Sequence, residues 1–417
     1  MSGHTPIEGL RDGPALPVDP NVNSSRSGSR PLLDLVAGAR PNFIKLAPVA
    51  RALAETGRFE LRLVHTGQHY DPNMSDVFFV DLGIPFPDVH LEVGSGSHGV
   101  QTARILERYE TLLLQRSPAA TVVFGDVNST IACALAATKL GIPVVHVEAG
   151  LRSDDRSMPE EINRILTDAI ASLLCVSEPS GAANLRREGV PESRIRQVGN
   201  VMVDTLLREL PTARRTHVPG VEALVGRPYG LVTLHRPANV DEIDVLRPLL
   251  AVLVELSQRL PLVFPVHPRT RSILAQQELN LDLTANGTIT LLSALPYHQH
   301  LSLMASAAMV LTDSGGMQEE TSVLGVPCLT LRESTERPVT IELGTSRLVG
   351  RDPERIRAAF HDVMAGAWPQ ARPIPLWDGR AACRIAAALV DWLCDSPRVP
   401  AGSATLPPGG RSADDPG

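Results

Sequence analysis

Lysine is nearly missing from this chain: among 417 residues and 39 basic side chains, only Lys45 and Lys139 are lysines and the rest are arginines. Each surviving lysine therefore raises the question of why arginine would not serve there. Long apolar runs are also absent, since none approaches the roughly 18 to 20 residues that span a bilayer, and no membrane partner is expected. Cysteine is sparse. Cys133, Cys175, Cys328, Cys383 and Cys394 form no CxxC pair, and no HExxH motif occurs, so nothing suggests zinc and a reducing compartment fits best. Charge of one sign is not in surplus: 46 acidic against 39 basic residues leaves a net −7, which gives no general attraction to nucleic acid. Neither G-x-x-x-x-G-K-[ST] nor G-x-S-x-G is present, which removes P-loop nucleotidases and serine hydrolases. Gly94 to Gly99 does spell G-x-G-x-x-G, but it lies far from the first strand and no acid ends a following strand about 20 residues on, so nicotinamide binding is not assigned there. The opening MSGHTPIEGLRDGP lacks the charged start and apolar stretch of a signal peptide, and a cytoplasmic location is expected.

What is present is an ordinary globular composition, 43% hydrophobic and 20% charged, in a chain long enough for two to three domains. Short β-branched runs alternate with helical patterns: LLDLVAG at 32, LRLVHTG at 61, TVVFGD at 121, PVVHVEAG at 143, LLCVS at 173 and RQVGN at 196. A stretch without strand pattern at 208 to 228 separates these from YGLVTLHR, PLVFPVH, TITLLSAL, MVLTDS and VPCLTLR. Such alternation predicts an α/β protein with two doubly wound, Rossmann-like domains facing a cleft. The expected divisions are a disordered tail at 1–30, an N-terminal domain at 31–205 and a C-terminal nucleotide-binding domain at 206–378. A helix at 379–395 is expected to pack back on the first domain, and 396–417 repeat the Gly, Pro and Ser-rich composition of a tail.

In open parallel sheets, ligands bind beyond the carboxyl ends of the strands. There the chain places Arg40, Asp126, Glu148, His235, His267 and the run Asp313-Ser314-Gly315-Gly316. The last precedes a helical pattern, so its amides either face an anion such as a diphosphate or serve only as a helix cap and turn. Arg40 and Lys45 would add positive charge to the same anion, Lys45 otherwise being a solvated helix charge. Asp126, Glu148 and Glu160 follow strands or begin a helix, and together they form a candidate general acid–base set; singly each is a cap or ion-pair partner. His235 and His267 either donate to a phosphate or leaving group or are structural histidines.

Taken together, GARPNFIKLAPV at 38, TGQHYDPNMSDVFF at 66, GDVNST at 125, HVEAGLRSDDRSMPEEINRILTD at 146, VGNVMVDTL at 198, TLHRPANVD at 233 and LTDSGGMQEETSVLGVPCLTLRESTERPVT at 311 closely resemble the non-hydrolysing UDP-N-acetylglucosamine 2-epimerases, from about residue 32 to 390. The resemblance implies a GT-B type fold, a homodimer, and interconversion of UDP-GlcNAc and UDP-ManNAc without NAD or metal. It implies that Asp126, Glu148 and Glu160 are the essential carboxylates and that His235 lies near the diphosphate. By the same resemblance Arg40, Lys45, Ser314, Gly315 and Gly316 bind the diphosphate, Glu320 accepts from the ribose and Arg337 contacts the nucleotide. His300 falls where relatives stack an aromatic ring on uracil, Ala238 where they often carry Glu, and Gln68-His69 resemble the start of the segment that binds an allosteric UDP-GlcNAc in bacterial members, from which the following Tyr-Asp-Pro departs. Rival readings are a 2-epimerase of a UDP-2,3-diacetamido uronic acid, a hydrolysing variant that releases UDP and ManNAc, and a GT-B glycosyltransferase.

Overall fold

The computed structural model describes residues 30–68, 82–279 and 287–395, apart from the side chains of Arg40 and Asp395. Both expected tails, except Arg30, and His69 lie outside the described residues. Seven parallel strands form one sheet: β1 Leu32–Ala37, β2 Glu60–His65, β3 Val89–His90, β4 Ala120–Phe124, β5 Val144–Ala149, β6 Leu173–Val176 and β7 Ile195–Gln197, in the order β3-β2-β1-β4-β5-β6-β7. Six more form a second parallel sheet, β8 Gly230–Thr233, β9 Leu262–Pro265, β10 Ile289–Leu292, β11 Met309–Thr312, β12 Cys328–Thr330 and β13 Ser346–Leu348, in the order β10-β9-β8-β11-β12-β13.

The central strands are buried on both faces, which is why β1, β4 and β5 read as nearly unbroken apolar runs. Alternate residues serve opposite cores. Leu33, Leu35, Val122 and Phe124 pack with the helix Arg40–Thr56 on one side. Val36 and Val123 pack with Ile105, Tyr109 and the alanines of the helix Asn128–Lys139 on the other. The second sheet has its own core around Val232, Phe264 and Leu311, covered by leucines of the helix Ile243–Ser257. In each sheet the strand order reverses beside the first strand, between β1 and β4 and between β8 and β11. These are the two crevices where a doubly wound sheet takes its ligand, giving the GT-B type arrangement expected from the sequence.

The connections fix how the lobes meet. The helix Val201–Ala213 follows β7 and lies against the first helix, where Thr205 Oγ1 donates to the Ile44 carbonyl at 2.7 Å. After β13 the chain returns: Trp377 Nε1 donates to the Ser177 carbonyl at 3.0 Å, and Ile385 and Leu389 of the helix Ala381–Val390 enter the core beside the helix Arg40–Thr56. Asp204 accepts from the amides of Ala381 and Ala382 at 3.1 and 2.7 Å, satisfying donors that the first turn of the returning helix would leave unpaired. No helix among the described residues is long and apolar enough to cross a membrane.

Candidate active site

From the first lobe, β1 leads through Gly38 and Ala39 into the helix that opens at Arg40 and carries Lys45 one turn on. Arg40's side chain lies outside the described residues; Lys45 is buried and lines the cleft. β4 ends in Gly125, whose φ of 63° and whose closeness to Lys45 (a Cβ there would lie 2.9 Å from Nζ) both require glycine. The turn presents Asp126 to the cleft, held by an ion pair to the buried Arg164 of the helix Pro159–Ile170. Glu160, in the first turn of that helix, lines the same cleft.

Glu148 is built differently. The pairing of β5 with β6 slips between Val147 and Ala149, and Glu148 adopts φ 75°, a left-handed conformation that costs a residue with a Cβ about 1 to 3 kcal/mol. The twist turns its carboxylate into the protein, where it is only 5% exposed and sits behind the cleft wall, bridged by the Lys45 ammonium and by Arg337 at 2.5 Å. Arg337 belongs to the second lobe, so this pair joins the two sheets' ligand ends. It also contacts Glu319 and Glu336, each at 2.6 Å. Burial pushes the Glu319 carboxyl up against the pull of Arg337, and Glu148 adds to the rise. Burial acts the same way on Glu336, but Arg337 and Arg332 overcome it and hold that carboxyl well below its usual range. Nearby, burial pushes Glu178 up to about 7.

From the second lobe, β11 ends at Asp313, which is fully buried. It accepts from the backbone amides of His235 and Arg236 at 3.0 and 2.9 Å and pairs with His235 Nδ1 at 2.9 Å. Burial would raise Asp313, yet the bond and charge of His235 and these amides leave it below the ordinary value. A carboxylate on Nδ1 fixes the ring and leaves Nε2 for the cleft, which His235 lines. Ser314, Gly315 and Gly316 open the helix Gly315–Leu324, and the Ser314 side chain makes no capping bond. Ser314 thus stands at the cap position without supplying a side-chain cap. Gly315 is crowded: a Cβ would lie 2.6 Å from a Glu336 carboxylate oxygen and 3.0 Å from an Arg337 guanidinium nitrogen, so a side chain there would displace that buried ion pair. His267 and His300 also line the cleft, the rings of His235 and His267 lying 5.6 Å apart. Glu320 lines it too, and accepts from Tyr297 at 3.0 Å.

The result is a cleft of about 430 Å³ between the ligand ends of both sheets. Its first-lobe wall carries Asp126 and Glu160; its second-lobe wall carries a helix start, the kind of place that suits an anion. Arg236, which like His235 follows the β8 apolar run, also lines it; sequence reasoning missed Arg164, Tyr297 and Glu319, which do so too. Tyr297 and His300 share one helix turn, Tyr297–Ser306, and an i, i+3 reading of YHQH would have found the aromatic.

The model of a family described as UDP-N-acetylglucosamine 2-epimerase matches residues 51–390. The chain is 43% identical over 331 residues to the UDP-N-acetylglucosamine 2-epimerase of Methanocaldococcus jannaschii, covering 78% of this chain and 90% of that one. It is 40% identical over 318 residues to the UDP-2,3-diacetamido-2,3-dideoxy-D-glucuronate 2-epimerase of Pseudomonas aeruginosa, covering 76% and 87%. The crystal structure of the M. jannaschii UDP-GlcNAc 2-epimerase in complex with UDP-GlcNAc and UDP aligns with a TM-score of 0.80 at 41% identity, over 86% of this chain and 99% of that one. With a doubly wound pair of sheets, acids on one wall of their cleft and a glycine-rich helix start on the other, this chain belongs to the UDP-N-acetylglucosamine 2-epimerase family.

Proposed function

We propose that this protein is a non-hydrolysing, cofactor-independent 2-epimerase that interconverts UDP-GlcNAc and UDP-ManNAc in the cytoplasm as a homodimer. The observation that carries this reading is the meeting, in one cleft, of Asp126 and Glu160 with the helix start at Ser314–Gly316, with Lys45 and Arg337 of the cleft wall tied to Glu148 behind it. A carboxylate removes the proton at C2 as the bond from C1 to the diphosphate oxygen breaks, the electron pair leaving with UDP. The helix-start amides, His235, Arg40 and Lys45 stabilise the departing diphosphate. UDP then adds back to C1 of the 2-acetamidoglucal while a second acid returns a proton to the opposite face of C2, and no water is consumed. Glu320 takes the ribose, His300 faces the uracil and Arg337 closes on the nucleotide from its place beside Glu148. We assign 31–205 and 206–378 as the two domains that supply these walls.

The test is proton NMR with UDP-GlcNAc in D2O without added NAD or metal. Deuterium at C2 in a mixture of UDP-GlcNAc and UDP-ManNAc supports the proposal, and free ManNAc means the hydrolysing variant. Transfer to an acceptor without C2 exchange means a glycosyltransferase. The P. aeruginosa relative favours a second reading, a UDP-2,3-diacetamido uronic acid as substrate; the cleft offers the partly exposed Arg236 as a partner for a C6 carboxylate. Exchange with the uronate alone would select it. Light scattering at working concentration tests the dimer.

A further inference from the structure

Asp126 and Glu160 line the cleft from two segments and Glu148 stands behind its wall on a third, so the placement of all three must be kept for proton transfer to work. His146 of β5 is wholly buried, and both its ring nitrogens meet acceptors: Nδ1 lies 2.7 Å from Asp168, and Nε2 lies 2.8 Å from the carbonyl of Gly125, the residue before Asp126. The Gly125 carbonyl can only accept, so Nε2 donates to it. The other oxygen of Asp168 accepts from the Gly150 amide at 3.0 Å, two residues past Glu148, and from Arg152 at 2.8 Å. Arg152 is in turn held by Glu188 at 2.7 Å. Asp168 itself stands in the helix Pro159–Ile170, whose first turn carries Glu160. One side chain, 1% exposed, thus ties together the three segments that bear the acids. Neither Asp168 nor His146 lines the cleft, so neither touches substrate. The bonds of His146 and Arg152 outweigh burial and keep the Asp168 carboxyl below its usual range, so these bonds are to a carboxylate.

We propose that Asp168, acting through His146 and the Gly150 amide, is the positioning residue that sets the mutual geometry of Asp126, Glu148 and Glu160. This rests on the function proposed above. The test compares Asp168→Ala with Asp168→Asn in the full chain. Asparagine can donate to His146 Nδ1 and accept from Gly150 and Arg152, so His146 keeps its Nε2 bond to Gly125; alanine keeps none of these. In Asp168→Ala the kcat for C2 exchange is expected to fall about 100-fold with KM and UDP affinity nearly unchanged, the cost of acids displaced by about an ångström. Asp168→Asn is expected to restore most of the rate. Amide hydrogen exchange supplies a readout that needs no catalysis: segments 125–128 and 148–153 exchange faster together in Asp168→Ala and slow again in Asp168→Asn. Unchanged exchange in both segments of Asp168→Ala overturns the proposal. So does a loss of UDP affinity in step with rate, or an Asp168→Asn protein as impaired as the alanine form. If the unmodified protein exchanges no C2 proton while the two segments still loosen and tighten as expected, the positioning role stands and the proposed function fails.

Discussion

Glu178 offers the sharpest test of the electrostatics around the cleft. Its side chain has no exposed surface, one oxygen accepts from Ser180 at 2.6 Å, and the other is buried without a hydrogen bond. Burial raises its carboxyl from 4.5 to about 7, with Arg337 opposing and Glu319 and Glu148 adding to the rise. Because the folded state then holds a proton that the unfolded state has lost, stability falls as pH rises from 4.5 towards 7, and the loss is complete above both values. The span of about 2.5 pH units corresponds to about 3 kcal/mol, of which about 1 kcal/mol is already present at pH 5. Glu178→Gln keeps an oxygen for Ser180 and places an N–H where the unpaired oxygen was, among carboxylates that can accept from it. It should melt above the parent protein at pH 8 by on the order of 4 °C, and by far less at pH 5. Differential scanning calorimetry of both proteins at the two pH values decides it. A difference in melting temperature that is the same at pH 5 and pH 8 would refute the reasoning.

Further outcomes follow from the same geometry. Asp126→Asn should lower C2 exchange by about 1,000-fold while calorimetric UDP affinity holds, since the anion-binding wall is untouched; full activity would remove Asp126 from the chemistry. Glu148→Gln should also cost about 3 kcal/mol in denaturant unfolding, because it leaves Lys45 and Arg337 buried without their shared carboxylate. Gly315→Ala should weaken UDP binding about tenfold or more by driving Glu336 and Arg337 apart. His300→Phe should tighten UDP about fivefold if the ring faces uracil, the gain coming from stacking area, and no gain would move the base elsewhere.

Much of this architecture is legible in the residues alone, for a physical reason: strands buried on both faces must be continuous apolar runs, and such runs announce β1, β4, β5, β8 and β11 together with the polar residues that end them. The edge strands Val89–His90 and Ser346–Leu348 were not legible, being two and three residues long and only partly buried, without the apolar run that burial demands. The decoy at Gly94 to Gly99 runs into the helix His98–Gln115 from a loop, not from the first strand, and none of its residues lines the cleft. Asp126 and Ser314 to Gly316 could be placed because strand ends fix them, and Glu160 because it opens a helical pattern. That Glu148 turns behind the wall depends on a slip in register and a left-handed residue, which side-chain identity does not encode. Its partnership with Arg337, 189 positions away, is likewise a product of lobe packing.

Seen from the first sheet, the second lobe is an insertion: the chain departs through the helix Val201–Ala213 and comes home through Trp377 and the helix Ala381–Val390, with Asp204 of the outgoing helix gripping the first amides of the incoming one. Two strands of chain anchored side by side behave as a strap hinge. Both must flex when one lobe moves against the other, and parting the lobes separates Glu148 from Arg337.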